Sequence, residues 1–343
     1  MKKIILILIA FLSTITLTAG RYAGDFMAIG AGVRALGMGG AFAALADDGA
    51  AIYWNASGIA QIRDTEIAIM RAFLYEGLAY YDNFSLCQPL PNDVTLGVNW
   101  TRLTIDDIPI FKESHIVGTN VDQRSSDLNW ILNEAGIPDG KFTSTDDLYQ
   151  FAFAKHLRYN LNLGWLFYDL PLDFHFGGNI KYIKRNISDE EGEEHLGIGN
   201  GFDLSFLVKT DMAILFDFDW LGNIALGMNF QDVGGTIVSW RDLESKHEDE
   251  ILFNTKLGIA LEQPLYFIRS RIIMTMDVDY VYETQYHYGL EYFYKELVSL
   301  RAGYCSENYS AGASLKLYDV SVDYAFLTNV LGNTNRIGLR ISF

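Results

Sequence analysis

The sequence predicts an all-β fold, a transmembrane antiparallel up-and-down β-barrel of about 14 strands with an N-terminal plug, or hatch, that contains short helices. Segments of roughly ten residues in which apolar and polar residues alternate recur beyond residue 65, with turn-like clusters between them. The final segment, 334–343, alternates in the same way and closes on an aromatic residue, Phe343. Strands with a period of two turn one face to lipid and the other to a wet lumen.

The N-terminus has the features of a secretory signal peptide over residues 1–20. Two lysines precede the apolar run Ile4–Leu12, and the small residues Ala19 and Gly20 suit cleavage by a signal peptidase. The apolar run is much shorter than the ~20 residues that a membrane-spanning helix needs. We therefore expect export, insertion into the outer membrane, and contact with the lipid of that membrane.

Fourteen strands are predicted, because bacterial single-chain barrels usually have an even number. A fifteenth segment, Asn160–Asp169, is the alternative, and we favour a reversal near Pro171 because proline is poorly tolerated within a paired strand. The long connections then lie on the outer side of the membrane, and the short turns lie on the periplasmic side. The long connections are 104–146, 187–197 and 231–250. The predicted strands are 66–75, 79–87, 94–103, 147–157, 172–186, 198–208, 222–230, 251–262, 271–281, 287–295, 297–306, 309–318, 320–328 and 334–343.

The segment 21–64 precedes the barrel domain, 65–343, and is dense in Gly and Ala, which lets a backbone pack closely against other elements. We expect this segment to plug the lumen of the barrel. Within it, Asp47 and Asp48 are expected to cap a short helix that begins near Gly49. The residues that define the predicted plug motif are Gly30, Gly32, Gly37, Gly39, Gly40, Asp47, Asp48, Trp54, Asn55 and Gly58.

The polar faces of the predicted strands carry charged side chains into the lumen. We expect these charges to form a satisfied network of ion pairs against the plug, with a permeation path as the alternative. They are Lys256, Asp277, Asp279, Lys316, Asp323, Arg336 and Arg340.

Composition and motif spacing exclude several classes of function. The chain has 43 acidic and 26 basic residues, for a net charge of −17, so nucleic acid is a poor partner. Gly30–Ala35 matches the dinucleotide fingerprint formally, but it lacks the preceding strand and the βαβ unit of that site. The 6 histidines are scattered without metal-ligand spacing, and Cys87 and Cys305 are expected as free thiols at opposite ends of the barrel. We predict no enzyme activity, no cofactor and no metal.

The plug sequence resembles the N-terminal signature of the PorV/PorQ family, which belongs to the wider group of FadL-like barrels. The resemblance runs through Asp25–Phe42 and continues through Ala46–Asp48 to Ile52–Asn55. The family pattern usually continues Asn-Pro-Ala-Gly, whereas this chain has Asn-Ala-Ser-Gly at 55–58. The missing proline removes a fixed φ from that turn.

The resemblance implies two functions. As a relative of PorV, the chain would be a non-enzymatic component of a type IX secretion system, binding secreted cargo proteins and a surface-attachment partner through the outer loops 104–146 and 231–250. As a FadL-like barrel, it would take up hydrophobic small molecules, such as long-chain fatty acids, past the hatch and through a lateral opening between strands. We favour the first function on the form of the hatch sequence. The second function and a purely structural plugged barrel are the alternatives.

Overall fold

The structure is a computed structural model, and it describes residues 24–110, 140–162, 164, 169–188, 194–241, 247–280 and 284–343. The predicted signal peptide, 1–20, lies outside these residues. Among the helices that the structure describes, none is both long enough and apolar enough to cross a membrane.

The described residues contain one sheet of 16 strands, all paired antiparallel. In chain order the strands are β1 (Glu66–Leu74), β2 (Ala79–Leu90), β3 (Val94–Ile110), β4 (Gly140–Leu161), β5 (Leu170–Ser188), β6 (Glu194–Asp211), β7 (Asn223–Gln231), β8 (Thr236–Arg241), β9 (Glu248–Ile251), β10 (Asn254–Leu265), β11 (Ser270–Tyr280), β12 (Thr284–Tyr294), β13 (Val298–Cys305), β14 (Asn308–Leu317), β15 (Val320–Leu327) and β16 (Thr334–Ser342).

Strands β1 to β7 and β10 to β16 close into a barrel of 14 strands, as predicted. β1 pairs with both β2 and β16, so the first and last strands complete the ring. β8 and β9 form a hairpin that pairs with the part of β6 beyond the barrel. We call the barrel end with the β2–β3 turn the short-turn end, and the opposite end, where the β8–β9 hairpin lies, the long-loop end.

The predicted strands are confirmed, with differences at the long-loop end. β3 continues as far as Ile110 and β4 begins at Gly140, so both strands extend into the predicted connection 104–146. Residues 111–139 of that connection lie outside the described residues. The connection 231–250 was predicted to hold no strand, and this is wrong because β8 and β9 lie there. β8 has only 6 residues and β9 only 4, which is shorter than the ~10-residue segments that identify membrane strands.

The reversal between β4 and β5 lies at 162–169, a few residues before the predicted position. Pro171 lies inside β5, where it pairs with Asn160 of β4. It is the second residue of its strand, and proline is tolerated near a strand terminus, where a lost N–H donor disturbs the fewest ladder bonds. The predicted even number of strands holds.

The lipid-facing side of the barrel changes character towards the long-loop end. An apolar band gives way to an aromatic girdle, in which Tyr149 lies between Trp100 and Tyr182 in the strand register. Beyond the girdle a row of alternating charges crosses β1 to β5, and its members pair in register. We expect this row to lie outside the hydrocarbon, because an exposed Arg or Lys would cost roughly 2–4 kcal/mol at the bilayer midplane. The charged row is Arg71, Asp82, Arg102, Asp147 and Lys184.

The segment 24–64, which we call the plug, lies inside the barrel as short helices and turns. Nearly every residue from 30 to 60 is buried, and many of them are Gly or Ala, so the backbone fits a lumen that larger side chains would overfill. Its helical pieces are α1 (Asp25–Ala28), α2 (Val33–Gly37), α3 (Ala51–Trp54) and the 3₁₀ helix Ala56–Gln61.

The cysteines Cys87 and Cys305 are unpaired, as predicted. Cys87 pairs with Glu66 at the short-turn end of β2. Cys305 ends β13 at the long-loop end, opposite Asn308. A disulfide requires Cα atoms within about 7 Å of one another, and the two cysteines lie at opposite ends of the barrel.

Candidate functional site

A belt of wall glycines receives the backbone of the plug. Each of these glycines lies on a different strand, and a Cβ atom added to it would meet a plug residue. At Gly227 that atom would lie 2.0 Å from the carbonyl oxygen of Ala43, and at Gly303 it would lie 2.1 Å from the backbone nitrogen of Gly39. The plug therefore contacts the wall along a path where side chains are absent. The glycine belt consists of Gly97, Gly177, Gly227, Gly258, Gly289, Gly303, Gly312 and Gly338.

The glycines predicted for the plug motif serve two different structural needs. A Cβ atom at Gly58 would lie 1.9 Å from the carbonyl oxygen of Ala46, so only glycine lets these two turns of the plug approach. Gly37 packs on the wall, where an added Cβ would lie 3.5 Å from Gly312 Cα. The remaining motif glycines have positive φ, a conformation that strains other residues. They are Gly30, Gly32, Gly39 and Gly40.

Trp54 and Asn55 tie together parts of the plug that are distant in sequence. The Trp54 Nε1–H donates to the carbonyl oxygen of Ala31 at 2.7 Å. Asn55 Nδ2 donates to the carbonyl oxygen of Ala43 at 2.6 Å, and Asn55 Oδ1 accepts from the backbone N–H of Ser57 at 3.2 Å. The last contact caps the 3₁₀ helix, and it orders the turn in a chain that lacks proline at 56.

Side-chain amides of the wall satisfy the carbonyl groups at the end of α3. Asn229 Nδ2 donates to the carbonyl oxygen of Trp54 at 2.8 Å. Asn179 Nδ2 donates to that of Ile52 at 3.0 Å, and Gln150 Nε2 is a second donor there at 3.4 Å. The last carbonyls of a helix have no partner within the helix, so these three wall amides, the amide cradle, supply what α3 lacks.

A buried set of ion pairs joins α2 to the wall. Arg34 Nη2 lies 2.8 Å from Glu291 Oε2, and Arg34 also pairs with Asp47. Glu291 accepts a second cation, since Arg301 Nε lies 2.6 Å from Glu291 Oε1. A buried charge that loses its partner is strongly destabilising, so these groups depend on one another. The full charge network is Arg34, Asp47, Asp48, Glu291, Arg301, Asp323 and Arg340.

The plug members of the charge network shift the pKa values of one another. Burial lowers the pKa of Arg34, but the carboxylates of Asp47 and Glu291 outweigh burial and hold it well above its usual value. Burial raises the pKa of Asp47, but Arg34 outweighs burial and leaves that pKa below its usual value. At Asp48, burial exceeds the effect of the nearby arginines, so its pKa is raised. Arg34 and Asp47 are therefore both charged at neutral pH.

Five of the predicted lumenal charges lie in three separate groups. Asp323 and Arg340 belong to the charge network, where Arg340 Nη1 lies 3.0 Å from Asp48 Oδ2. Asp277 accepts a hydrogen bond from a plug backbone N–H at 2.6 Å. Lys256 forms an ion pair with Asp279 on the neighbouring strand.

The other two predicted lumenal charges lie apart from these groups. Arg336 donates from Nη1 to the carbonyl oxygen of Gly30 at 3.0 Å and from Nη2 to that of Ile29 at 3.2 Å. Lys316 is exposed at the short-turn end, where it lines a cavity. The predicted cap by Asp47 and Asp48 is wrong, because Ala50 is the N-cap of α3 and no side chain caps the helix. Asp48 Oδ1 instead accepts from the backbone N–H of Ala50 at 3.0 Å in the turn before α3, and Asp47 pairs with Arg34.

Sequence reasoning missed several buried charges of the plug and of the wall. Arg34 and its partners Glu291 and Arg301 were not among the predicted site residues. Lys181, whose Nζ lies 2.7 Å from Asp203 Oδ1, was missed as well. Except for Arg34, all of these residues occupy lumen-facing positions in the alternation of β5, β6, β12 and β13. A search for ionisable residues at those positions would have found them.

Cavities lie on both sides of the plug. The outer chamber, a cavity of about 320 Å³ at the long-loop end, is lined by plug and wall residues that include Leu36, Trp54 and Tyr309. The side chamber, of about 240 Å³, lies at the same end and shares α1 and Trp54 with the outer chamber. The inner cavity, of about 200 Å³, lies at the short-turn end among charged residues. The plug separates the inner cavity from the two chambers.

No protein-family model matches the chain, and no curated protein matches it. Its fold is similar to that of the Ralstonia pickettii toluene transporter TbuX, at 10% identity, with 92% of this chain and 98% of that chain covered and a TM-score of 0.50. For the Pseudomonas putida toluene transporter TodX the identity is 10%, the coverage 91% and 96%, and the TM-score 0.50. A deltaS2 mutant of TodX, a monoaromatic hydrocarbon channel, has 11% identity to this chain and a TM-score of 0.54. That comparison covers 91% of this chain and 99% of the mutant.

At these identities the likeness shows the fold. The chain has the fold of an outer-membrane β-barrel, similar to that of TbuX and TodX, as the sequence predicts. The finer assignment to the PorV/PorQ family stays a prediction.

Proposed function

We propose that the chain is a non-enzymatic channel that takes up hydrophobic small molecules across the outer membrane, past the plug. The observation that carries this proposal is the outer chamber, which reaches the long-loop end and has the plug as its floor. Its volume of about 320 Å³ lies in the range of small-molecule sites. The similarity in fold to toluene transporters supports a ligand of this class.

The lining of the outer chamber favours an apolar ligand. Leu36 and Trp54 contribute from the plug, and Leu74 and Leu327 contribute from the wall. Trp54 is 5% exposed and Leu74 is 1% exposed, so a ligand that packs against them loses water. Each 100 Å² of apolar surface that leaves water contributes roughly 2.5 kcal/mol.

The part of the plug that moves is, in this proposal, α1. Contacts with the glycine belt begin at Val33, which meets Gly338, and continue to Ser57, which meets Gly177. The preceding segment, 24–32, lacks such contacts, and Asp25 within it is exposed. Because α1 lines both chambers, its displacement would join them.

A reversible clamp on α1 tests the proposal. A Cβ atom at Gly24 would lie 3.0 Å from Ile251 Cγ2, so the variant Gly24→Cys/Ile251→Cys places two thiols side by side. Uptake of labelled toluene into proteoliposomes should fall about 10-fold on oxidation and recover on reduction. Each single substitution is a matched control and should not respond, provided that all variants are made in a background in which Cys87→Ala and Cys305→Ala remove the two free thiols. If the clamped protein conducts normally, α1 is not the gate; if the wild type does not exceed protein-free liposomes, the channel proposal fails.

A role in protein secretion is the second candidate, and one structural observation favours it besides the hatch sequence. β9 pairs with β8 on one edge and, among the described strands, with none on the other. An unpaired strand edge is a template for an added strand from another chain. This edge lies at the long-loop end, where a cargo protein would dock.

Purification of the folded protein from its own outer membrane in mild detergent separates the two candidates. Mass spectrometry of the preparation reports bound proteins and bound small molecules together. Secreted proteins that share a C-terminal domain, or a surface-attachment partner, would support secretion. A hydrophobic compound in a one-to-one ratio without a protein partner would support uptake.

A further inference from the structure

Arg336 is a buried cation whose charge no carboxylate balances in the described part of the chain. The side chain is 3% exposed and lines the outer chamber. Its two terminal nitrogens donate to the carbonyl oxygens of Gly30 and Ile29, and its Nε has no hydrogen-bond partner. Backbone carbonyls satisfy donors but carry no net charge, so the cost of burying this guanidinium is only partly offset.

Other buried arginines of the lumen have acidic partners. Arg34 pairs with Glu291 and Arg301 pairs with Asp323, both within the charge network. Asp25 is the carboxylate that shares the outer chamber with Arg336, but it is exposed on α1 and the two form no ion pair. The wall of the outer chamber thus contains a positive charge that has no carboxylate partner in the described part of the chain.

A second polar group of the same wall is also unsatisfied. Thr334 is 4% exposed, lines the outer chamber and has no hydrogen-bond partner for Oγ1. It lies two residues before Arg336 on β16, so both side chains face the lumen. Leu36, Leu74 and Leu327 add apolar side chains to the same lining. The chamber therefore combines a guanidinium that has no carboxylate partner and an unpartnered hydroxyl with both apolar and polar side chains.

We propose that the outer chamber binds an organic anion with an apolar body, and that Arg336 binds the anionic group. A carboxylate placed against Arg336 Nε would supply the missing countercharge through a charge-assisted hydrogen bond, and Thr334 is positioned to donate a second bond. The volume of the chamber suits a small acid of roughly ten to fifteen non-hydrogen atoms, such as an arylalkanoate. This inference rests on the proposed uptake function and adds the substrate class to it.

Calorimetric titration of the purified, folded protein with 3-phenylpropionate and with neutral 3-phenylpropanol tests the proposal. The wild type should bind the acid anion about 10- to 100-fold more tightly than the alcohol. Arg336→Gln should abolish that preference while leaving alcohol binding within about 3-fold, and Arg336→Lys should retain most of it. Thr334→Val, which keeps the shape of the side chain, should weaken anion binding about 3- to 10-fold.

Arg63→Gln is the matched control, because Arg63 is 68% exposed at the short-turn end and its nearest carboxylate lies at 4.0 Å. It removes the same charge from the protein and should leave both affinities unchanged. If Arg336→Gln fails to fold, Thr334→Val and Arg336→Lys still decide the matter, because both retain the positive charge. Equal affinity of the wild type for acid and alcohol overturns the anion proposal and leaves the channel standing. Absence of binding for both compounds, with no uptake, overturns the channel as well.

Discussion

Arg34 of the plug and Glu291 of the wall, 257 positions apart in sequence, share a two-point buried hydrogen bond. Arg34 Nε lies 3.1 Å from Glu291 Oε1, and Arg34 Nη2 lies 2.8 Å from Glu291 Oε2. Because Arg301 also binds Glu291, one carboxylate serves a cation from the plug and a cation from the wall. Glu291 therefore connects the fold of the plug to that of the barrel.

Glu291→Gln should destabilise the protein by up to about 3–5 kcal/mol, because it removes the one carboxylate that two buried guanidinium groups share. Among the described residues, Arg34 then keeps only Asp47 and Asp48 as acidic partners, and Arg301 keeps only Asp323. The urea midpoint of the folded barrel in lipid vesicles, followed by tryptophan fluorescence, measures this loss. Glu296→Gln is the matched control, since Glu296 is 64% exposed and its pair with Arg271 should contribute about 0–1 kcal/mol. Equal midpoints for the two variants would contradict a stabilising role for the network.

Gly227→Ala should prevent the plug from seating, because the new Cβ would meet the carbonyl oxygen of Ala43 at 2.0 Å. Overpacking of this kind costs about 1–3 kcal/mol, or more where backbone must move. Proteolysis of the plug in the folded barrel should accelerate by about 10-fold or more. At Gly140 an added Cβ meets only Ile110 Cδ1 at 3.6 Å, so Gly140→Ala should behave as the wild type. Equal rates of plug proteolysis in Gly227→Ala and Gly140→Ala would contradict the claim that the glycine belt makes room for the plug.

Asn229→Leu should loosen the end of α3 more than Asn179→Leu does. Asn229 is the wall donor to the carbonyl oxygen of Trp54, whereas Gln150 still serves Ile52 after Asn179 is lost. An unsatisfied buried carbonyl costs about 1–3 kcal/mol, so amide hydrogen exchange in 51–57 should accelerate about 5- to 150-fold in the first variant. If exchange accelerates more in Asn179→Leu than in Asn229→Leu, the hydrogen bond from Asn229 to Trp54 is not the more important contact of the amide cradle.

The ion pair of Asp47 predicts a loss of stability in acid. Burial raises the pKa of Asp47, but the effect of Arg34 is larger and opposite, so the folded-state pKa lies below the ordinary value of 3.8. The pair therefore stabilises the fold above pH 3.8, and this contribution disappears as the pH falls through the lowered pKa. The difference in urea midpoint between wild type and Asp47→Asn should be constant above pH 5 and should shrink below pH 4. A difference that does not shrink as the pH falls below 4 would rule out this pair as its source.

The barrel was predictable from sequence because its strands alternate with a period of two that a reader can follow one segment at a time. Leu226 and Met228 face lipid while Ala225 and Gly227 face the lumen, and that pattern locates β7 to within a residue. The β8–β9 hairpin escaped because its strands are too short to show such a period. The length of a strand, more than the β-propensity of its residues, determined whether it could be predicted from the sequence.

The attachment of the plug was much less predictable. The partners of Arg34 lie on strands near the other end of the chain, and one sequence contains no signal for so distant a pair. Asp277 and Arg340 were expected in the lumen, but which plug atoms they meet depends on how the plug turns inside the barrel. The alternating pattern places the glycines of the belt on the lumen face, but nothing in the sequence indicates why glycine occupies those positions. Their role appears only when the plug backbone lies against them.

The glycine belt has a consequence for how the molecule is assembled. Its members extend from β3 to β16, so nearly the whole circumference of the barrel is shaped to a backbone that precedes every strand in the chain. If the barrel closed first, the plug would have to enter a lumen whose wall it contacts on many strands at positions that leave no room for a Cβ atom. We therefore expect the sheet to close around the plug during folding. The N-terminal segment would then be a template for barrel closure before it is a gate.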